Sequence, residues 1–242
     1  MNKVISYVLA IATFAAFAAF VVLRQQTPFR PELLDGYNAL VLEGFFNTII
    51  ISIISLLGSV VLGFVFFLLS VSKVRFFEAF TDVFTEIIYG TPLLVMIVVM
   101  AFVIGPAFGS FNRSLMGTLG LIIYITPYMT NIYKSAFSSI GNDQYMAMDL
   151  FGFTPYQRYR YIIIPQVVRI LMPPMMNNFS LIIKGSALLN VLSLTELYYA
   201  IRVVQSRTFA FVEGYLLMWG LYIIITIPLS QLTKYVERRW ST

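Results

Sequence analysis

The side chains best placed to do chemistry in this chain are Glu86, Thr91, Thr126, Asn131, Asn177, Asn178, Ser180 and Lys184, each inside or at the end of a long apolar stretch. A charge at bilayer depth is expensive and usually faces a cavity or a partner, so the set reads as candidates to line a solute path. For the Asn and Ser residues, hydrogen bonding between helices is an equal reading. For Glu86 and Lys184 the plainer alternatives are a structural ion pair or snorkelling to the interface. With no His and no Cys, the commonest general base and metal ligand is missing, as are disulfides, thiolate metal sites and iron–sulfur clusters. Lys184-Gly185-Ser186 lacks the upstream glycine and strand of a phosphate-binding loop, so the chain carries no nucleotide site of its own.

The elements that must position these residues are membrane helices. Of the 242 residues, 59% are hydrophobic and 11% charged, with a mean hydropathy of +0.84; soluble domains run near 45–50% and 25%. Apolar runs long enough to cross about 30 Å of hydrocarbon lie at about Val4–Leu23, Gly44–Ser70, Phe84–Phe108, Leu115–Phe137, Leu171–Leu194 and Phe211–Leu232. Pro92 and Pro127 end near-identical hexapeptides, Ile87-Ile88-Tyr89-Gly90-Thr91-Pro92 and Ile122-Ile123-Tyr124-Ile125-Thr126-Pro127, which read as two proline-bent helices. The first run exceeds the 7–15 residues of a typical signal-peptide core and reads as an uncleaved helix.

The net charge of +5 is read as topology, not as nucleic-acid binding, because basic residues concentrate in cytoplasmic loops. With both termini inside, the inner face carries Lys3, Lys73, Arg75, Lys134, Arg158, Arg160, Arg169, Lys234, Arg238 and Arg239. The outer face then carries Arg24, Arg30, Arg113, Arg202 and Arg207, and the reverse orientation inverts the bias.

One inner connection, Lys134 to Arg169, is far longer than an ordinary helix–helix link. Gly141-Asn142-Asp143 forms a turn, Gln144–Phe151 a short helix, Gly152 interrupts, and Thr154-Pro155 starts a new helix with Thr as N-cap and Pro at the first position. Pro165 is expected to break the chain again before the fifth span. The segment is a surface hairpin on the headgroups or a docking element for a cytoplasmic partner.

Here the sequence resembles ABC importer permeases of the polar amino-acid uptake family. Met146-Ala147-Met148 stands at the family's Glu-Ala-Ala place, Gly152 at its glycine, and Ile162-Ile163-Ile164-Pro165-Gln166 closes the pattern. Arg169, Pro173-Pro174, Asn177-Asn178-Phe179, Lys184 and Leu194-Thr195-Glu196-Leu197 are similar to the stretch that follows. Upstream, Glu86-Ile87-Ile88-Tyr89-Gly90-Thr91-Pro92-Leu93-Leu94 looks like Glu-x-x-Arg-Gly-Thr-Pro-Leu-Leu, and Glu43-Gly44 through Ser52 like the opening of the first core helix. Met146, Met148 and Tyr89 depart from the pattern, which has Glu, Ala and Arg there. Gly185 stands where the family often has Asp or another polar residue.

The resemblance implies an all-α integral membrane fold: a type I ABC importer permease-like helical bundle of about six transmembrane helices. Residues 1–24 form an added N-terminal helix, 25–40 an extracytoplasmic linker, and 41–242 a five-helix core with its coupling loop at about 138–169. It implies a permease subunit in a bacterial plasma membrane that moves a small polar solute, an amino acid by preference, by alternating access. The implied partners are separate ABC ATPase subunits holding ATP and Mg, a second permease copy or paralogue, an extracytoplasmic binding protein and lipid. Coupling falls to Tyr145, Met146, Ala147, Met148, Asp149, Phe151, Gly152, Phe153, Thr154 and Pro165. The competing class, a secondary transporter or channel subunit without ATP coupling, predicts inverted repeats of broken helices, and the sequence has no such symmetry.

Overall fold

The computed structural model describes residues 3–24 and 28–240, without the side chains of Lys3 and Trp240; the remaining parts of the expected linker and of both chain ends lie outside the described residues. Helix α1 (Lys3–Leu23) stands apart, with none of the residues of its span buried. A 3₁₀ turn, Pro31–Leu34, leads into α2 (Asn38–Ser70). Helix α3 (Arg75–Tyr89) is followed by α4 (Leu93–Ala107) and then by α5 (Arg113–Ser138). On the next connection lies α6 (Asn142–Leu150). Helix α7 (Pro155–Leu192) and α8 (Leu197–Thr208) come next, and α9 (Phe211–Trp240) ends the chain. Four of these helices are long and apolar enough to cross a membrane, and two bent pairs, α3 with α4 and α7 with α8, raise the number to six if each counts as one span.

The seam that organises the bundle is a row of small residues on α2. Gly44, Thr48, Ser52, Ser55, Ser59 and Gly63 are all buried, at spacings of three and four that keep them on one helix face. Lipid offers no hydrophobic drive for helix association, so close backbone approach through small residues does the work. At Gly63 an added Cβ would lie 2.5 Å from Met129 Cβ, and Thr130 Oγ1 donates to Gly63 O at 3.2 Å, joining α2 to α5. We expect Gly63→Val to lower stability by about 1–3 kcal/mol through overpacking, read as thermal unfolding in detergent. Gly220→Val, where a Cβ meets nothing within 4 Å, is the control that should melt with the parent.

Two expectations are corrected. The third span is not one bent helix from Phe84 to Phe108: the chain turns by 108° between α3 and α4. Gly90 caps α3, and Pro92, at φ −60° and ψ 140°, is extended and has no N–H to continue the ladder. Pro165 does not break the chain, because α7 runs through it. A π turn at Arg158–Ile163 directly precedes it, and the wider turn accommodates the missing donor and the ring. Pro127 likewise sits inside an unbroken α5.

Candidate functional site

The cytoplasmic connection folds as two short helical pieces joined at a sharp corner. Gly152 has φ +68°; its N–H donates to Asp149 O and the Phe153 N–H to Met148 O, both at 3.0 Å. These two bonds make a Schellman end, with glycine at the left-handed position. Thr154 then starts α7 with a capping box: Gln157 N–H donates to Thr154 Oγ1 at 3.3 Å and Thr154 N–H to Gln157 Oε1 at 2.8 Å, with Pro155 at the first helical position. Across the corner, Arg158 pairs with Asp149 and donates from Nε to Phe153 O at 2.9 Å. Gln166 Nε2 donates to Gln144 Oε1 at 3.1 Å, so α6 is tied to the same helix that enters the membrane.

The residues singled out for coupling divide into two sets. Met148 is buried among Ile140, Ile163 and Val167, with Tyr145 and Phe153 packed against that cluster; these hold α6 on the bundle. Burial pushes the Tyr145 phenol above its ordinary pKa, and the neighbouring Tyr159 adds to it. Met146, Ala147, Asp149, Phe151, Gly152, Thr154 and Pro165 are exposed. The outward face is apolar where it matters, with Met146 at 61%, Leu150 at 88% and Phe151 at 81% exposure. Leu150 was missed by the motif, yet it lies four residues after Met146 and so shares its helix face.

The residues assigned to a path also divide. Thr126 is fully buried, its hydroxyl donating within α5 to Ile122 O at 2.8 Å, and Asn178 is buried on α7. Glu86 is exposed on α3. Thr91, at the corner before α4, donates to Ile87 O at 2.6 Å. Asn131 Nδ2 donates to the Tyr89 hydroxyl at 2.6 Å, which ties α5 to the end of α3. On α7, Asn177, Ser180 and Lys184 fall at three- and four-residue spacings and are exposed or half-buried. A Cβ on Gly185 would lie 2.9 Å from Leu93 Cδ2, so this helix passes the α3–α4 corner in close contact. Among the described residues the ion pair formed is Arg158–Asp149; Glu86 and Lys184 do not pair with each other.

Two outer features escaped the sequence reading. A cleft of about 450 Å³ is lined by Glu43, Asn47, Ser114, Thr118 and Thr195 together with apolar side chains of α2 and α5. Glu196, fully buried, caps α8 by accepting from Tyr199 N at 2.7 Å and Tyr198 N at 2.8 Å, and from the Tyr222 hydroxyl at 3.1 Å. The available signal was an acid directly ahead of a helix start, after Leu194-Thr195.

Residues 59–242 match the family described as binding-protein-dependent transport system inner membrane component. The probable glutamine ABC transporter permease protein GlnM of Bacillus subtilis is 30% identical over 207 residues, covering 86% of this chain and 95% of the relative. The histidine/lysine/arginine/ornithine transport system permease protein HisQ of Escherichia coli is 23% identical over 220 residues, 86% of this chain and 96% of that protein. Among solved structures, a chain of the crystal structure of an amino acid ABC transporter with histidines superposes with a TM-score of 0.80 at 24% identity, covering 89% of this chain and all of that one. An inward-facing MetNI methionine ABC transporter gives a TM-score of 0.65 at 15% identity, over 84% and 98%.

Proposed function

Because the chain belongs to the family of binding-protein-dependent transport system inner membrane components, and is thereby a permease subunit of an ABC importer for a small polar solute in the bacterial inner membrane, we propose that it carries a polar amino acid, with glutamine the first candidate. The relatives that support this cargo cover most of the chain. Delivery is by an extracytoplasmic binding protein. The driving force comes from separate ATPase subunits that seat on Met146, Leu150 and Phe151.

The observation that carries the reading is the corner at Gly152. An exposed apolar helix in the cytoplasm, locked by an ion pair and hydrogen bonds to a helix that continues into the membrane, can pass a rigid-body movement from one side to the other. Exposed Glu86, Asn131, Asn177 and Lys184 line the path with half-buried Thr91 and Ser180, and a second permease covers them. About five core crossings enclose too little space for a path alone, so the translocating unit is a dimer. Native mass spectrometry of the purified complex should give two permease subunits; a single copy beside its ATPases would refute this stoichiometry.

The cargo is tested with the permease, its ATPases and its binding protein in proteoliposomes holding ATP. L-Glutamine should accumulate inside in proportion to ATP hydrolysed. A sugar or a metal as the tight ligand of the binding protein overturns the amino-acid cargo and leaves the importer class standing.

A further inference from the structure

An arginine on the outer face runs against the inward bias of basic residues and needs a local reason. Arg202 opens onto a cleft of about 310 Å³, lined by Asn190 and Ser193 at the end of α7 and by Tyr199, Arg202, Val203 and Ser206 on α8. The last four fall at spacings of three and four, which is one face of the helix. Arg202, Ser193 and Ser206 are exposed, and Asn190 and Tyr199 half-buried. The hydrogen-bond donors in the cleft divide. Asn190 Nδ2 donates to Ala187 O at 2.6 Å and the Ser206 hydroxyl to Val203 O at 2.8 Å, so both are spent on their own helices. Among the described residues, the Arg202 guanidinium and the Ser193 and Tyr199 hydroxyls have no protein partner, and no carboxylate lines the cleft.

Ser193 sits on the cleft wall in a conformation that its side chain disfavours. Its φ is +60° and its ψ 30°, the left-handed region where a Cβ crowds its own backbone. Residues held this way gather at binding sites. Its N–H donates to Asn190 O at 2.9 Å, which closes the end of α7. The level of the cleft follows from its neighbour Ala200, which packs so closely on Gly44 that an added Cβ there would lie 2.7 Å from the Ala200 Cβ. Gly44 is six residues into α2, about 9 Å from its outer end at 1.5 Å per residue. The cleft therefore lies in the outer part of the bundle, near the headgroups and away from the hydrocarbon centre. A guanidinium grips two oxygens of an anion with its planar fork, and two hydroxyls can donate to others. Three donors from two elements fit a group with three or more oxygens, and a carboxylate has no third oxygen to offer.

We propose that Ser193, Tyr199 and Arg202 form an outer-face site for a phosphate group, supplied by a phospholipid headgroup or by free inorganic phosphate. The site lies outside the transport reading, and binding is scored without cargo, so L-glutamine uptake by the parent succeeds or fails independently. The permease with its ATPases is purified in dodecyl maltoside, which carries no phosphate. The chain has no cysteine, so a bimane label on Ser206→Cys, beside cysteine-free ATPases, puts one reporter on the cleft wall. At constant ionic strength, inorganic phosphate and dihexanoylphosphatidylglycerol should each shift its emission saturably, and acetate should need about tenfold more. Arg202→Gln should raise the half-saturating concentration about tenfold, and Tyr199→Phe about threefold. Ser193→Gly should also weaken binding about threefold yet melt no lower than the parent, because it removes the hydroxyl and suits the left-handed backbone. Arg207→Gln, on the same helix but outside the cleft lining, is the control for surface charge and should bind like the parent.

No saturable shift, equal potency of acetate, indifference to any of the three cleft substitutions, or equal weakening by Arg207→Gln overturns the site. A shift produced by the binding protein alone, which phosphate does not compete away, makes the cleft that protein's seat, and the proposal fails. The source of the group is read in nanodiscs of phosphatidylglycerol. Loss of the response to free phosphate there assigns the site to the headgroup, and a response that persists assigns it to free phosphate; the phosphate site stands in both cases.

Discussion

Gly152→Val should lower ATP-driven uptake about tenfold while leaving the permease folded in the membrane. The corner needs φ near the observed +68°, where an L-residue costs about 1–2 kcal/mol and a β-branched one is an outlier. Space is not the obstacle, since a Cβ at this position meets nothing within 4 Å. The strain therefore falls on the two bonds that make the corner, Gly152 N–H to Asp149 O and Phe153 N–H to Met148 O. A cost of about 1.4 kcal/mol lowers the population of the native corner about tenfold. The apolar face of Met146, Leu150 and Phe151 then loses its fixed angle to α7. Uptake and binding-protein-stimulated ATP hydrolysis, measured together in proteoliposomes, should come apart, whereas Gly152→Asn, better tolerated in this region, should keep much of the coupling. A Val variant that transports as tightly coupled as the parent would show that this connection is only a surface hairpin.

How much of this was legible beforehand differs by element. The corner was readable because its signals are local: a glycine past a short helix, then Thr-Pro, and the structure adds only the Gln157 half of the capping box. The long spans were readable because about twenty apolar residues have few other uses. The third was misread for the same reason. Hydropathy is blind to direction, so a run from Phe84 to Phe108 looks continuous even though Pro92 turns it by 108°. The fate of Pro165 depended on a π turn, whose donor shift leaves no mark in residue type. Among the path candidates, sequence could list polar residues but not their faces. Thr126 and Asn131 lie five residues apart on α5, one fully buried and the other open beside Tyr89. That distinction comes from which helices surround α5, and long-range packing sets it.

The buried carboxylate of Glu196 shows the same limit from the other side, and it carries the largest stability effect expected in the molecule. Its oxygens hold the Tyr198 and Tyr199 amides and the Tyr222 hydroxyl, while the next amide, Leu197 N–H, donates to Thr48 Oγ1 on α2 at 3.0 Å. At Gly44 a Cβ would meet Glu196 O at 2.9 Å, so α2 leaves no room for this segment to relax toward it. Glu196→Ala strands two amides and a phenol of half-buried residues, each at about 1–3 kcal/mol where no water replaces the partner. With water reaching part of the set, a net loss of about 2–3 kcal/mol should lower the melting temperature in detergent by roughly 5–10 °C. Glu196→Gln keeps one carbonyl oxygen and should fall between Ala and the parent; Tyr222→Phe leaves both amides capped and should move it least. An Ala variant melting within a degree of the parent would mean that these bonds are not made. The site is at the opposite end of α7 from Gly152, and distant effects add independently. Glu196→Ala should therefore lower stability and spare the tie between ATP hydrolysis and uptake in whatever protein remains folded, the reverse of the pattern expected for Gly152→Val.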